Sequence, residues 1–310
     1  MHLSPLHMHI PDGFLSLAIS IICWAFTIIL DGVAISRTNK SLGERQVPLM
    51  GIMAAFIFAA QMINFPVAGG TSGHLLGGAL AAITLGPWAA MLVMTSVIAV
   101  QGLLFQDGGL TVMGANILNM GLVTVVIGYG LYRSVLGRNQ TMKLVIAGLA
   151  AWLSVMGGAL LTSLELWLSG TAKLDIVIPA MLSVHALIGI GEALITVAAL
   201  AFIFRTRPDL LGEESVSAKG GRGWALAGIL VTLIVVLLSP LASVNPDGLN
   251  RVAMDLGFIT TAQTATGPLA GYNLPFLGKT PLSRIAAGAI GVLVVLGLAF
   301  LAGRALRKKS

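Results

Sequence analysis

Charge is scarce in this chain. Only 10% of its 310 residues are Asp, Glu, Lys or Arg, against 56% hydrophobic, and its mean hydropathy is +0.94. A soluble domain carries roughly 25% charged residues to keep its surface wet, so a wholly aqueous surface is excluded. Cysteine is nearly absent: Cys23 stands alone inside an apolar run, which rules out an intrachain disulfide and a cysteine-built zinc site. There is no Gly-rich phosphate loop with its lysine, no His-Glu-x-x-His pair and no evident Ser/His/Asp arrangement. The sequence therefore predicts neither a nucleotide hydrolase nor a metalloprotease, and more broadly not an enzyme. No basic stretch followed by a small-residue cleavage site opens the chain, so no cleaved signal peptide is expected.

Long apolar runs are what is present. In lipid every backbone polar group must be paired internally, which leaves helices or a closed barrel. Barrel strands alternate apolar and polar residues, whereas these runs are unbroken. The fold class predicted is therefore all-α, a polytopic membrane helical bundle. Taking about 20 residues per crossing, the runs place spans near 14–36, 47–65, 74–86, 87–105, 110–133, 141–168, 176–204, 223–243 and 282–305. The run 75–104 is too long for one crossing, and Gly86-Pro87 offers the break.

Loop charge supports nine spans with the N-terminus outside and the C-terminus cytoplasmic. On that count 14 of the 18 basic residues fall inside, among them Arg37, Arg133, Arg205 and Arg304, while Lys173, Arg251, Lys279 and Arg284 fall outside. The net charge of +6 and pI near 9.8 thus describe loops beside an anionic leaflet, not a nucleic-acid surface. A multi-pass protein of the cytoplasmic (inner) membrane is expected. Residues 205–222, polar and Gly-rich, read as a cytoplasmic linker between a seven-helix unit, 1–204, and a two-helix unit, 223–310. The last two helices flank a long outer loop, 244–281, which is either functional or partly folded.

Histidine marks the candidate chemistry. His2, His7 and His9 precede the first span and His74 opens the third, so both groups lie on the predicted outer face. Imidazole suits the late first-row divalent metals. A lone histidine at a helix end is more often a hydrogen-bonded structural residue, so spacing alone argues against metal capture; the absence of any rival chemistry is what raises it. Asp31, Gln61, Asn64, Gln101, Asn116, Asn119, Glu165, His185 and Glu192 lie in or near spans, where polar groups are costly. His185 and Glu192 stand two helical turns apart on one face. A hydrogen bond between helices is the favoured reading of that pair, with a second metal station or a gate as the sharper one.

Three stretches then carry a resemblance. Met8-His9-Ile10-Pro11-Asp12-Gly13-Phe14-Leu15 resembles the opening of the CbiM/NikM family, the substrate-binding (S) components of energy-coupling-factor cobalt and nickel importers. Asn64-Phe65-Pro66 through Gly73-His74-Leu75-Leu76-Gly77-Gly78 is similar to that family's second motif, and the segment 185–194 to its last-helix motif. The C-terminal unit resembles the small partner component, CbiN or NikN, here fused. Its Pro246-Asp247-Gly248-Leu249 is followed by Asn250 where Glu is usual.

The resemblance implies a four-nitrogen metal site of the Met8 amine, the His9 amide, the His9 ring and the His74 ring, with Asn64 orienting His74. Such a flat field suits nickel(II) or copper(II) and disfavours tetrahedral zinc. One departure bears on it: seven residues precede Met8, and while attached they make its nitrogen an amide. Translation beginning at Met8, removal of the extension, or replacement of the chelate by Met1 and His2 are the competing explanations.

The function implied is capture of Ni2+ or Co2+ at the outer face as transported substrate, with no resident cofactor; the fused unit leans toward nickel. ATPase subunits and a transmembrane coupling (T) component are the implied partners. The alternatives are a passive divalent-cation channel, and a membrane enzyme using His185 and Glu192 as acid and base.

Overall fold

A computed structural model describes residues 8–43, 46–211, 223–263 and 267–307. The chain is built from helices: α1 (Leu17–Ser41), α2 (Gln46–Gln61), α3 (Gly78–Leu85), α4 (Pro87–Val100), α5 (Met113–Asn116), α6 (Thr124–Tyr132), α7 (Gln140–Leu168), α8 (Leu174–Thr206), α9 (Gly223–Leu238), α10 (Gly248–Leu256) and α11 (Pro281–Leu306). A wider π-turn, Gln101–Phe105, extends α4, and another, Ile117–Val123, joins α5 and α6 into one rod. Such turns recur beside functional sites, and here they carry Gln101 and Asn119.

Among the described residues, seven helices are long and apolar enough to cross a membrane. Their outward faces bear exposed Ile21, Phe26 and Ile29 on α1, Leu194 on α8, Leu230 on α9 and Leu293 on α11. In water these faces would be a liability; in lipid they are the solvated surface.

Two of the expected spans are shorter than their apolar runs. α2 ends at Gln61, because the next residues enter a hairpin of β1 (Phe65–Val67) and β2 (Thr71–Gly73), antiparallel with Phe65 opposite Gly73. The stretch expected as a third span, 74–86, holds only the eight-residue α3, all of whose residues are buried. It begins after a left-handed Gly77 and stops at Gly86, with Pro87 opening α4. Eight residues rise about 12 Å, too little to cross a bilayer, and such an interrupted helix survives at membrane depth only when protein surrounds it.

α9 and α11 pack on α2. At Gly291 a Cβ would fall on the Phe58 ring, so only glycine lets these helices come so close. The loop 244–281 is partly folded: α10, capped by the Asp247 side chain accepting from Asn250 N–H at 2.7 Å, and three short 3-10 turns. It lies over the hairpin, where Ser72 N–H donates to the Pro246 carbonyl at 2.8 Å and the Ser243 N–H to the Asn64 carbonyl at 2.8 Å.

Candidate metal site

The segment ahead of α1 is held residue by residue. Asn116 brackets Ile10: its Oδ1 accepts the Ile10 N–H at 2.9 Å and its Nδ2 donates to the Ile10 carbonyl at 3.0 Å. The Asp12 carboxylate accepts three successive amides of the facing loop, Leu110 at 3.0 Å, Thr111 at 2.9 Å and Val112 at 3.2 Å. Gly13 has φ +98°, and a side chain there would strike the Thr261 carbonyl. Phe14 is fully buried, edge-on to Phe258 at 5.0 Å. The Ile10-Pro11-Asp12-Gly13-Phe14 stretch is thus a docking motif, and what it docks is His9.

His9 is 2% exposed and His74 is 7% exposed, and their ring centres lie 5.6 Å apart. A nitrogen about 2 Å from an ion puts the imidazole centre roughly 3 Å from it, so two rings at this separation can reach one ion between them. The Nε2 of His74 lies 3.3 Å from the Met8 carbonyl, which aims that ring at the Met8–His9 backbone. The ring of His9 is turned by its Nδ1, 2.9 Å from the Asp107 carbonyl. Met8, His9 and His74 line one cavity of about 60 Å³ together with Asn119, His185 and Asp247. No cluster of three His, Cys, Asp or Glu side chains suited to a metal exists among the described residues. An ion held here would therefore have to draw on backbone nitrogens as well as the two rings.

Asp107 is the residue that sequence reasoning missed. Its Oδ1 accepts the Met8 N–H at 2.6 Å and its Oδ2 accepts the Tyr272 hydroxyl at 2.6 Å. Burial by itself would raise this carboxyl. His9, the Tyr272 hydroxyl, the Met8 N–H and His74 together outweigh it and hold Asp107 below its ordinary value. A fixed negative charge thus stands against the nitrogen expected to bind the ion. The signal for it was a Gln-Asp-Gly-Gly turn, 106–109, between two apolar runs on the same face as His9 and His74.

The partner expected for His74 requires correction. Its Nδ1 lies 2.9 Å from the Leu75 carbonyl, the adjacent backbone, and Asn64 is not its orienting group. Asn64 instead receives Ser243 N–H on its main-chain carbonyl, and its Oδ1 is buried without a hydrogen bond among the described residues. The hairpin register, with Phe65 opposite Gly73, leaves Asn64 and His74 as the next facing pair, yet each bonds elsewhere. Met1 and His2, the alternative ligands, lie outside the described residues, as does His7.

His185 and Glu192 serve different partners. His185 Nδ1 lies 2.7 Å from the Met181 carbonyl of its own helix, and Glu192 bonds the chain following His74. An acid–base pair is not what this face presents. Deeper in the bundle, Glu165 accepts from Asn119 Nδ2 at 2.6 Å and from Cys23 Sγ at 3.3 Å, tying α1 and α7 together. Asp31 accepts from the Thr95 hydroxyl at 3.0 Å. Both are bonds between helices.

The C-terminal unit closes the site. Gly248 packs so tightly against Ile188 and His185 that a Cβ would come within 2.9 Å of the His185 ring. Asp247 reaches the cavity wall, where burial first and the nearby Asp107 charge push it up to about 7, against the pull of the Asn250 and Leu249 amides. Asn250, standing where Glu is usual, donates its side-chain amide to Asp247 Oδ1 at 2.9 Å.

Comparison with known proteins agrees with this architecture. Residues 9–210 match the family model of the cobalt uptake substrate-specific transmembrane region, CbiM, and residues 222–308 match the PDGLE domain. A protein of Archaeoglobus fulgidus, provisionally named a fused nickel transport protein NikMN, is 37% identical over 94% of this chain and 97% of its own. The cobalt transport protein CbiM of Geobacter sulfurreducens is 30% identical over 78% of this chain and 73% of its own. The crystal structure of a truncated transition metal transporter superposes with a TM-score of 0.58 at 35% identity, covering 64% of this chain and 99% of that one. The chain is a multi-pass membrane protein belonging to the CbiM family of cobalt and nickel transport components, with a PDGLE domain in the same polypeptide.

Proposed function

We propose that this protein captures Ni2+ or Co2+ at its outer face, as the substrate-specific subunit of an energy-coupling-factor importer. The observation that carries the reading is the meeting of His9 and His74, 65 positions apart in sequence, as two buried rings 5.6 Å apart above the Met8–His9 backbone. Two imidazoles beside the Met8–His9 backbone offer a nitrogen-rich field, which favours late first-row ions over magnesium or calcium. The nickel and cobalt transport named for its relatives supports the choice of ion.

In this reading the unit 1–204 holds the ion, 205–222 links it at the cytoplasmic face, and 223–310 covers the site with its outer loop. Energy comes from separate ATPase subunits acting through a coupling protein, and the ion travels inward across the cytoplasmic membrane. The Met8 nitrogen joins the ligand set when it is the chain's terminal amine. Otherwise Met1 and His2 would have to supply the chelate.

The test is metal content by mass spectrometry after equal nickel, cobalt, copper and zinc are offered, with the N-terminus fixed by intact mass. About one nickel or cobalt per chain is expected, lost in both His9→Ala and His74→Ala. Retention of the ion in both variants would sink the site. Metal flux into liposomes lacking any ATPase would favour a channel instead.

A further inference from the structure

The ring of His74 is oriented by a peptide group, and that peptide group is itself held from below. The plane joining Leu75 and Leu76 presents its carbonyl to His74 Nδ1 at 2.9 Å. The N–H of the same plane is received by Glu192 Oε2 at 2.6 Å. The next plane is gripped as well: Gly77 N–H donates to Glu192 Oε1 at 2.8 Å, and the Leu76 carbonyl accepts Gln61 Nε2 at 2.7 Å. Glu192 is 0% exposed, and these two amides stand at the start of the buried α3. A carboxylate accepting two N–H groups just ahead of a helix makes charge-assisted bonds at the positive end of the helix dipole.

Both ring nitrogens of His74 face carbonyl oxygens, Nδ1 that of Leu75 at 2.9 Å and Nε2 that of Met8 at 3.3 Å; the closer contact is to Leu75, and a proton on Nδ1 leaves the Nε2 lone pair for an ion. Ligating histidines are ordinarily fixed by a partner on their other ring nitrogen. Here that partner is a backbone carbonyl whose own orientation depends on a carboxylate one peptide plane away. Gly77, at φ +85° and packed on Ile57, leaves the segment little room to relax elsewhere.

We propose that Glu192 is the positioning residue of the ion site, fixing the ring direction and tautomer of His74 through the Leu75–Leu76 peptide plane. The proposal rests on the reading of His74 as an ion ligand. A merely structural role for Glu192 predicts lower thermal stability with unchanged ion binding; a positioning role predicts an altered ligand field.

The experiment titrates nickel(II) and copper(II) into the full-length protein in detergent, for wild type, Glu192→Gln and His74→Ala. Copper(II) is also followed by electron paramagnetic resonance. Gln offers one acceptor where two are needed, so the dissociation constant is expected to rise roughly 10- to 100-fold, the usual effect of losing an outer partner. The copper spectrum of E192Q should shift toward that of H74A, with one nitrogen fewer. An E192Q protein that melts lower yet binds and resonates like wild type overturns the proposal while leaving the ion site standing. An H74A protein that binds like wild type overturns both. Should E192Q fail to fold, Glu192→Asp keeps the charge but is one methylene short of reaching both amides. It should show a smaller shift in the same direction, and no shift at all overturns the proposal.

Discussion

Gly109→Ala isolates the fit between the His9 segment and the loop that receives it. Gly109 does not have positive φ, so alanine is compatible with its backbone and the substitution tests space alone. A Cβ there would fall on the Asp12 amide nitrogen and carboxylate, well inside van der Waals contact, and on a side that is backbone and cannot swing away. Relief requires the loop and the segment to part by about an ångström. That separation stretches Gly109 N–H to the Ile10 carbonyl, now 2.9 Å, and the three amide bonds to Asp12 between 2.9 and 3.2 Å. Overpacking of this kind costs about 1–3 kcal/mol.

His9 stands three residues before Asp12, so the displacement is delivered to the proposed ion site. At 1.4 kcal/mol per tenfold, the cost corresponds to roughly a five- to hundredfold weaker nickel affinity if the ion must restore the original fit on binding. Equilibrium dialysis of nickel against wild type, G109A and Gly130→Ala measures it. Gly130 sits in α6 with nothing within 4 Å of its would-be Cβ, so alanine there should gain about 1 kcal/mol of helix propensity and leave affinity alone. An affinity for G109A within twofold of wild type refutes the reasoning, because it would mean the two segments are not packed against each other when the ion is bound.

Two further predictions address the C-terminal unit. Tyr272→Phe keeps the ring against Phe105, 4.8 Å away, but removes the 2.6 Å hydrogen bond to Asp107, so unfolding free energy should fall by about 1.5–3 kcal/mol, as for other bonds to charged groups; nickel binding should weaken with it, and calorimetric unfolding with parallel dialysis checks both. Asp247 governs a pH dependence: its folded value of about 7 lies above the ordinary carboxylate value of 3.8, so the folded state holds the proton more tightly. Its contribution is therefore most favourable below pH about 4 and is lost as pH rises toward 7. Asn caps a helix as well as Asp does, so Asp247→Asn should flatten the metal-free stability profile between pH 4 and 8 and exceed wild type at the alkaline end; a steeper profile in D247N would contradict this.

The helical membrane architecture was legible because it rests on hydropathy, which the chain states in nearly every residue. Boundaries failed where apolar composition served something other than crossing. The stretch 74–86 is apolar because α3 is buried on every side, and a buried short helix and a span look alike in composition. His9 and His74 were legible as isolated imidazoles in otherwise apolar surroundings. Their partners were not, since the groups that meet the two rings are the main-chain carbonyls of Leu75, Met8 and Asp107. Main-chain groups belong to every residue and leave no mark in a sequence.

The same circumstance bears on how such a site is encoded. A site made of side-chain ligands is specified wherever its His, Cys, Asp and Glu are placed, and a compact cluster of them announces it. A site that borrows backbone is specified by whatever bends and locks the backbone, and those residues are spread out: Asp12, Asn116, Asp107, Glu192 and, from the far end of the chain, Tyr272. Asp12, Asn116, Asp107 and Glu192 each bond one to three main-chain groups of a distant segment, and Tyr272 holds the Asp107 carboxylate in place. The sequence therefore carries the site mainly as glycines that must not grow and carboxylates and amides that have no business inside a bilayer unless backbone donors await them. Glu192 shows the point most clearly. On its own helix face it reads as a companion to His185, yet its work is done on two amides more than a hundred residues earlier in the chain.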